Sequence, residues 1–439
     1  MTPKLPYVFH ALIFSFVAPL ASASAAESAP NILLILADDL GWGDLGRYPK
    51  GSAWGDEART ATPHLDRLAE RGILCTDAYA TGMVCCPSRA GLMSGRYQTH
   101  LGYYSFGESN APFPSVKLMP EALRELGYAT IMSGKWHVST APGSWPQDRG
   151  FDHFFGFLGG QHDYFDPSLG QPFTPVENSP DAPILDDGMP AASLTYLTAD
   201  LTDRAIKHME GARERRRPFF TYLAYNAPHP PLQALWSDLE PYARAREDGR
   251  FNSRDIARAM LAALDRDIGR LLDWLEKSGL DRDTLIVFSS DNGGHDDGPG
   301  RVVQHNGGLR GRKGYLFEGG IRVPLLISWP AGLPAGRTYR EPVSQLDLYP
   351  TFLAAAGAKP PDWQLDGVNL LPHLCGHTSA APHERLFWSM GDIKRNWAVR
   401  EGPWKLVRES NVRLPDQTVP SGGLAACRTF PPRKTNLRG

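Results

Sequence analysis

The stretch Asn31-Ile-Leu-Leu-Ile-Leu-Ala-Asp-Asp39 decides the fold class. Its apolar run, Asn31 to Ala37, has the length of a strand and no alternation, which is how a strand buried on both faces of a parallel sheet reads. Three more such runs follow, Tyr128 to Met132, Pro218 to Ala224 and Thr284 to Ser290. Each comes after a helical pattern, around Leu118 to Leu126, Leu194 to Met209 and Ile256 to Lys277. A further helix over Thr62 to Arg71 is marked by Pro63 near its start and Gly72 past its end. The alternation predicts an α/β fold with a large, mostly parallel sheet flanked by helices. Residues 141–190, dense in Gly, Pro, Phe and Asp, read as loop and as part of a rim around a site.

Past a helix-like stretch from Leu346 to Ala356, three short runs predict a small antiparallel sheet: Leu386 to Ser389, Trp397 to Arg400 and Trp404 to Arg408. The chain therefore divides into residues 1–26, an α/β catalytic domain over 27–375, a small C-terminal subdomain over 376–410 and a tail over 411–439. Residues 1–26 carry Lys4, an apolar stretch from Tyr7 to Leu20 and a small-residue tract from Ala21 to Ala26. That order is a secretory signal peptide, since the apolar stretch is shorter than the ~20 residues a bilayer span needs. The expectation is a secreted or periplasmic protein with no membrane partner.

In 439 residues, 46 Lys+Arg against 48 Asp+Glu leave a net charge of −2. Without a basic excess there is nothing to displace phosphate counterions, so a nucleic-acid partner is excluded. Five cysteines, at 75, 85, 86, 375 and 427, are too few and scattered for a disulfide scaffold.

Polar residues collect directly after the apolar runs: Asp38-Asp39 after the first, Lys135 and His137 after the second, His229 after the third, Asp291-Asn292 after the fourth. The carboxyl ends of strands in a doubly wound sheet converge on one crevice, so these clusters form one candidate site. Singly, the aspartates read as caps or turns and the histidines as hydrogen-bonded core residues. Together Asp38, Asp39, Asp291 and Asn292 offer only oxygen ligands, the set of a hard cation, Ca²⁺ or Mg²⁺. Lys135, Lys313, His137 and His229 beside it suit an anionic substrate, lysine as fixed charge and histidine as proton carrier.

Residues Cys85-Cys-Pro-Ser-Arg-Ala-Gly-Leu-Met-Ser-Gly-Arg96 form the most specific segment. They read as a loop entering a helix, with Cys85 at the N-terminus where anions are favoured. This segment resembles the C-x-P-S-R-x-x-x-[LM]-[ST]-G-[RK] signature of the formylglycine-dependent type I sulfatases, arylsulfatase-like members of the alkaline phosphatase superfamily. Similar, too, are Asn31 to Gly46, Gly134 to His137, Pro218 to His229, Phe288 to Gly293 and Leu309 to Pro324. The resemblance runs in order over roughly residues 31 to 410.

It implies an alkaline-phosphatase-like fold and a sulfuric ester hydrolase. By this similarity a separate maturation enzyme converts Cys85 to formylglycine (3-oxoalanine), whose gem-diol is the nucleophile. Asp38, Asp39, Asp291 and Asn292 would bind Ca²⁺ together with an oxygen of converted Cys85. Arg89 would hold the hydrated aldehyde, Lys135 and Lys313 the sulfate oxygens. His229, with Lys313, would protonate the leaving alcohol, and His137 would take a proton when sulfate is expelled.

The implied substrates are sulfated carbohydrates or aryl sulfates. A phosphonate or phosphate ester hydrolase of the same superfamily, or an inactive sulfated-glycan-binding protein, are the competing expectations. In the rim, Gly159 to Phe165 offers His162, Asp163 and Tyr164 to sugar hydroxyls, though the stretch reads equally as a structural turn. The tail lacks the acidic stretch and final helix usual in the family, which suggests a frameshifted or truncated terminus that packs poorly.

Overall fold

The computed structural model describes residues 29–48, 60–165, 183–191, 194–244, 250–296, 302–410 and 424–428. The expected signal segment, residues 1–26, lies outside them. Among the described residues no helix is long and apolar enough to cross a membrane.

Five parallel strands form the centre of a ten-stranded sheet, in the order Thr284–Ser290, Asn31–Ala37, Phe219–Ala224, Ala129–Lys135 and His153–Phe157. Leu325–Ser328 adds antiparallel beside Thr284–Ser290, and the hairpin Leu185–Asp186, Met189–Pro190 closes the other edge. The absence of alternation in Asn31–Ala37 has a direct cause. Leu33 and Ile35 join one buried core with Leu201 and Leu264, whereas Ile32, Leu34 and Leu36 join another with Ala90, Leu123 and Phe352. Both faces are thus covered by helices, and each large aliphatic side chain so buried contributes about 1.5–3 kcal/mol.

The helices include Pro63–Glu70, Cys85–Ser94, Met119–Glu125, Leu197–Glu214 and Ser253–Lys277. Ser253–Lys277 begins before Ile256 because Asn252 caps it: the Asp255 amide donates to Asn252 Oδ1 at 3.0 Å and the Asn252 amide to Asp255 Oδ2 at 2.9 Å.

Three expectations change. Residues 141–190 are not all loop, since His153–Phe157 pairs in parallel with Ala129–Lys135. Gly156 permits that approach, because a Cβ there would lie 2.0 Å from Gly134 O. The small sheet, Arg385–Ser389, Trp397–Glu401 and Trp404–Arg408, gains a fourth strand from the tail, Leu424–Arg428, paired antiparallel to Trp404–Arg408. Of 411–439 only Leu424–Arg428 is described, as this strand; the rest of the tail lies outside the described residues. The subdomain is also not separate in its packing. Leu386, Trp388, Ala398 and Val407 share a core with Met83, Val84 and Phe317, so this sheet backs the entry to the Cys85 helix.

Candidate active site

The register carries the site. Ala37 pairs with Ser290 and Leu36 with Ala224, so Asp38, Asp291 and the Asn226–His229 turn leave the sheet side by side. Gly134, beside Lys135, has φ 120° and lies against Ala224, where a Cβ would sit 1.8 Å from the carbonyl oxygen. Only glycine allows the Lys135 strand so close. Ser290 Oγ accepts from the Leu40 amide at 2.9 Å and donates to Asn292 O at 2.9 Å, fastening the two aspartate loops together.

Three carboxylates with no solvent exposure to speak of, Asp38, Asp39 and Asp291, face three cations. Lys135 Nζ lies 2.5 Å from Asp38 Oδ2, and Lys313 Nζ lies 2.7 Å from Asp39 Oδ1. Arg89 places Nη2 2.9 Å from Asp291 Oδ2 and donates through Nη1 to Lys135 O at 2.9 Å and Tyr222 Oη at 3.4 Å. Burial is the largest influence and alone would raise these carboxyls, but Lys135, His229 and Arg89 together outweigh it at Asp38, and Lys313 and His229 together at Asp39, so both stay below the usual range. At Asp291 burial and the neighbouring Asp38 win, and its carboxyl is pushed up. The resulting ledger of charge is high-stakes: each group is stable only with its partners in place.

Two oxygens in this set are buried without a hydrogen-bond partner, Asp38 Oδ1 and Asn292 Oδ1. Asn292 has its amide nitrogen turned to Asp39 Oδ1, at 2.6 Å, which leaves the carbonyl oxygen aimed elsewhere. Orphaned buried acceptors beside three carboxylates fit a hard divalent cation. Asp38, Asp39 and His229 also bring one ligand atom each within 4.8 Å of one another. His229, however, faces Asp39 from the pocket side, with Nε2 3.6 Å from Asp39 Oδ2. Its Nδ1 must carry a proton, because it meets Pro230 O at 2.5 Å, and Nε2 is thereby the nitrogen left for chemistry.

Cys85 starts the Cys85–Ser94 helix behind Val84, which offers no side-chain cap, so the first amides of the helix stay available to an anion. The thiol is 2% exposed and burial pushes it up, which makes it a poor nucleophile as a thiol. His137, in the left-handed region at φ 45°, is buried with Nδ1 unpartnered, and burial with Lys135 beside it holds the ring neutral. Gly160 packs on that imidazole: a Cβ there would lie 2.9 Å from His137 Cε1.

Asp39, Cys85, His137, His229 and Lys313 form the floor of a cavity of about 1200 Å³. Its walls include Phe106, Thr140, Trp145, Gln161, His295 and Met390, which sequence reasoning missed; only Trp145 and Gln161 fall in the segment read as a rim. None of His162, Asp163 and Tyr164, the residues offered to sugar hydroxyls, lines this cavity. Tyr164 is fully buried, its hydroxyl 2.6 Å from Asn226 O and 2.9 Å from His229 O, so it braces the His229 turn from below. Asp163 accepts from Gln233 at 2.7 Å, and His162 is buried against Phe157 with Nδ1 2.8 Å from Asp163 O. Gly159, Gly160 and Gln161 line the cavity in their place. Of the cysteines, 75, 85, 86 and 375 are free.

Residues 30–358 match the sulfatase family, and residues 311–413 match the family N-sulphoglucosamine sulphohydrolase, C-terminal. N-acetylgalactosamine-6-sulfatase of Canis lupus familiaris is 33% identical, over 87% of this chain and 72% of its own length. Arylsulfatase A of Bos taurus is 35% identical, over 90% of this chain and 77% of its own. The crystal structure of Ps i-CgsB in complex with k-i-k-neocarrahexaose superposes with a TM-score of 0.76 at 36% identity, covering 87% of this chain and 84% of that one.

Proposed function

The chain belongs to the sulfatase family of sulfuric ester hydrolases, and from that premise we propose that it removes sulfate from carbohydrates through an aldehyde made from Cys85. The observation that carries this reading is the placement of Cys85 at an uncapped helix N-terminus on the cavity floor, with Lys313, His137 and His229 around it. A carbohydrate is favoured over a small aryl ester by the cavity, larger than the ~300–1,000 Å³ of usual small-ligand sites and walled by Trp145 and Phe106. Two of the three similar proteins act on or hold sugars by their names, an N-acetylgalactosamine sulfate and a neocarrahexaose, while the third is named an arylsulfatase.

Asp38, Asp39, Asp291 and Asn292 would hold Ca²⁺, or Mg²⁺, which supplies charge neutralisation for the transferring sulfuryl group. The hydrated aldehyde at position 85 would supply the nucleophilic oxygen, and its second hydroxyl a route for expelling sulfate. Around these, Lys135 and Lys313 would hold the sulfate oxygens, and Arg89 would hold the hydrated aldehyde. His229, when protonated on both nitrogens, keeps its Nδ1–H on Pro230 O and gives its Nε2 proton to the leaving alcohol. His137 accepts the proton of the remaining hydroxyl, for which its neutral ring is suited. Because Cys85 is buried, a maturation enzyme must reach it before the fold closes. Residues 1–26 are read as the signal that sends the chain to the periplasm or outside.

The test compares kcat/KM for sulfated oligosaccharides, an aryl sulfate and a phosphonate monoester, on protein co-expressed with a formylglycine-generating enzyme. Carbohydrate sulfates should be preferred by at least tenfold. A preference for the phosphonate would overturn the reading.

A further inference from the structure

A second polar cluster lies at the sheet edge, away from the chemistry described above. His153 opens the His153–Phe157 strand, Asp187 sits at the turn of the Leu185–Pro190 hairpin, and His208 belongs to the Leu197–Glu214 helix. One donor atom from each lies within 4.8 Å of the other two. Three different elements thus bring two imidazoles and a carboxylate together.

The carboxylate is held in place. Asp187 and Gly188, at φ 50° and 89°, make the Asp-Gly turn that tight hairpins favour. The Asp187 amide donates to Phe154 O at 2.7 Å, and its Oδ1 accepts from the Phe154 amide at 2.8 Å. Oδ2 is left facing His153 Nδ1 at 3.0 Å. Across from it the His153 and His208 rings stack with centroids 4.1 Å apart. The His208 Nε2 atom is buried with no hydrogen-bond partner, a state that costs free energy unless something fills it. Burial, with His153 beside it, pushes His208 down to about 4, so the ring is neutral and one nitrogen offers a lone pair at neutral pH.

We propose that His153, Asp187 and His208 form a second metal site, for a divalent transition ion of the Zn²⁺ class. Two imidazole nitrogens and one carboxylate oxygen select such an ion over Ca²⁺, which prefers an all-oxygen set. Binding exchanges the proton between His153 Nδ1 and Asp187 Oδ2 for the ion, and in the neutral His153 ring that proton is replaced by one on Nε2, exchanged through solvent. The His208 ring turns out of the stack to present Nε2, and water fills the fourth position. The consequence reaches the substrate cavity. Pro183 and Leu185, in and just before the hairpin, line one of its walls, so the ion would pin that wall to the sheet edge and the helix.

The experiment uses the full, Ca²⁺-saturated enzyme and Zn²⁺ as probe. Calorimetric titration of wild type should show one Zn²⁺ equivalent and a Tm that rises with Zn²⁺. His208→Gln and Asp187→Asn should each weaken binding at least tenfold and lose the Tm shift, while His377→Gln, at a distant exposed histidine, should keep both. A Zn-edge anomalous map of wild-type crystals should put the ion among the three side chains, a readout that holds even where a variant does not fold. No uptake by wild type, binding unchanged in both variants, or an anomalous peak only at another place would each refute the site.

Discussion

Arg89 and Asp291, 202 residues apart in sequence, meet fully buried, with Arg89 Nε 3.0 Å and Nη2 2.9 Å from the same oxygen, Asp291 Oδ2. The pair joins the helix that begins at Cys85 to the loop that carries Asn292. Its geometry depends on the planar guanidinium, which spans Asp291 and the Lys135 carbonyl at once.

Arg89→Lys should therefore lower kcat by about 10²- to 10³-fold, the usual cost of one lost charge-stabilising contact. Its melting temperature should fall too, because part of a buried ion network is left uncompensated. Sulfate-release kinetics and a thermal melt check both; a rate within tenfold of wild type would contradict the role given to Arg89.

Gly160→Ala addresses His137 without touching it. The added methyl would meet the imidazole at 2.9 Å, so the ring must move out of its place on the cavity floor. We expect kcat to fall by about tenfold or more, within the range general base catalysis supplies, with little change in KM. Unaltered turnover would show that the position of His137 does not matter.

Tyr164→Phe tests the brace beneath His229. It leaves the Asn226 and His229 carbonyls without that hydroxyl, which should cost about 1–3 kcal/mol of stability. Denaturant unfolding measures that loss, and kcat should fall with it because His229 loses its support. A variant as stable and as active as wild type would remove the brace.

Glu318 governs how the small sheet tolerates acid. Burial disfavours its charge, but Lys405, Arg322 and Arg400 outweigh burial and hold it at about 2. A carboxyl depressed in the fold stabilises it above the ordinary value of 4.5, and that contribution is lost as pH falls from there towards 2. The full amount is roughly 3 kcal/mol. Glu318→Gln should thus be less stable than wild type at pH 7, with the difference shrinking in acid unfolding curves; a difference constant from pH 7 to pH 3 would speak against this assignment.

Much of this was legible in the sequence, for a physical reason. Strands buried on both faces must be apolar throughout, so Asn31–Ala37 and Thr284–Ser290 announce themselves, and the polar residues that end them mark the crevice. His153–Phe157 was hidden because it is short, holds a glycine and sits between turn-rich segments. A tyrosine in a rim loop reads equally as a contact for sugar or as part of a structural turn, and only the fold shows Tyr164 lying under the His229 turn. Phe106, His295 and Met390 carry no local signal at all; only the fold brings them to the cavity. The strand Leu424–Arg428 was missed because its pairing with Trp404–Arg408 crosses a segment without pattern.

Sulfate release from sulfated oligosaccharides, measured on protein whose Cys85 peptide shows the thiol-to-aldehyde mass change, tests the central claim most directly. The account predicts turnover in that protein and none above background in Cys85→Ala. Equal turnover in Cys85→Ala, or none in fully converted and folded protein, would contradict it.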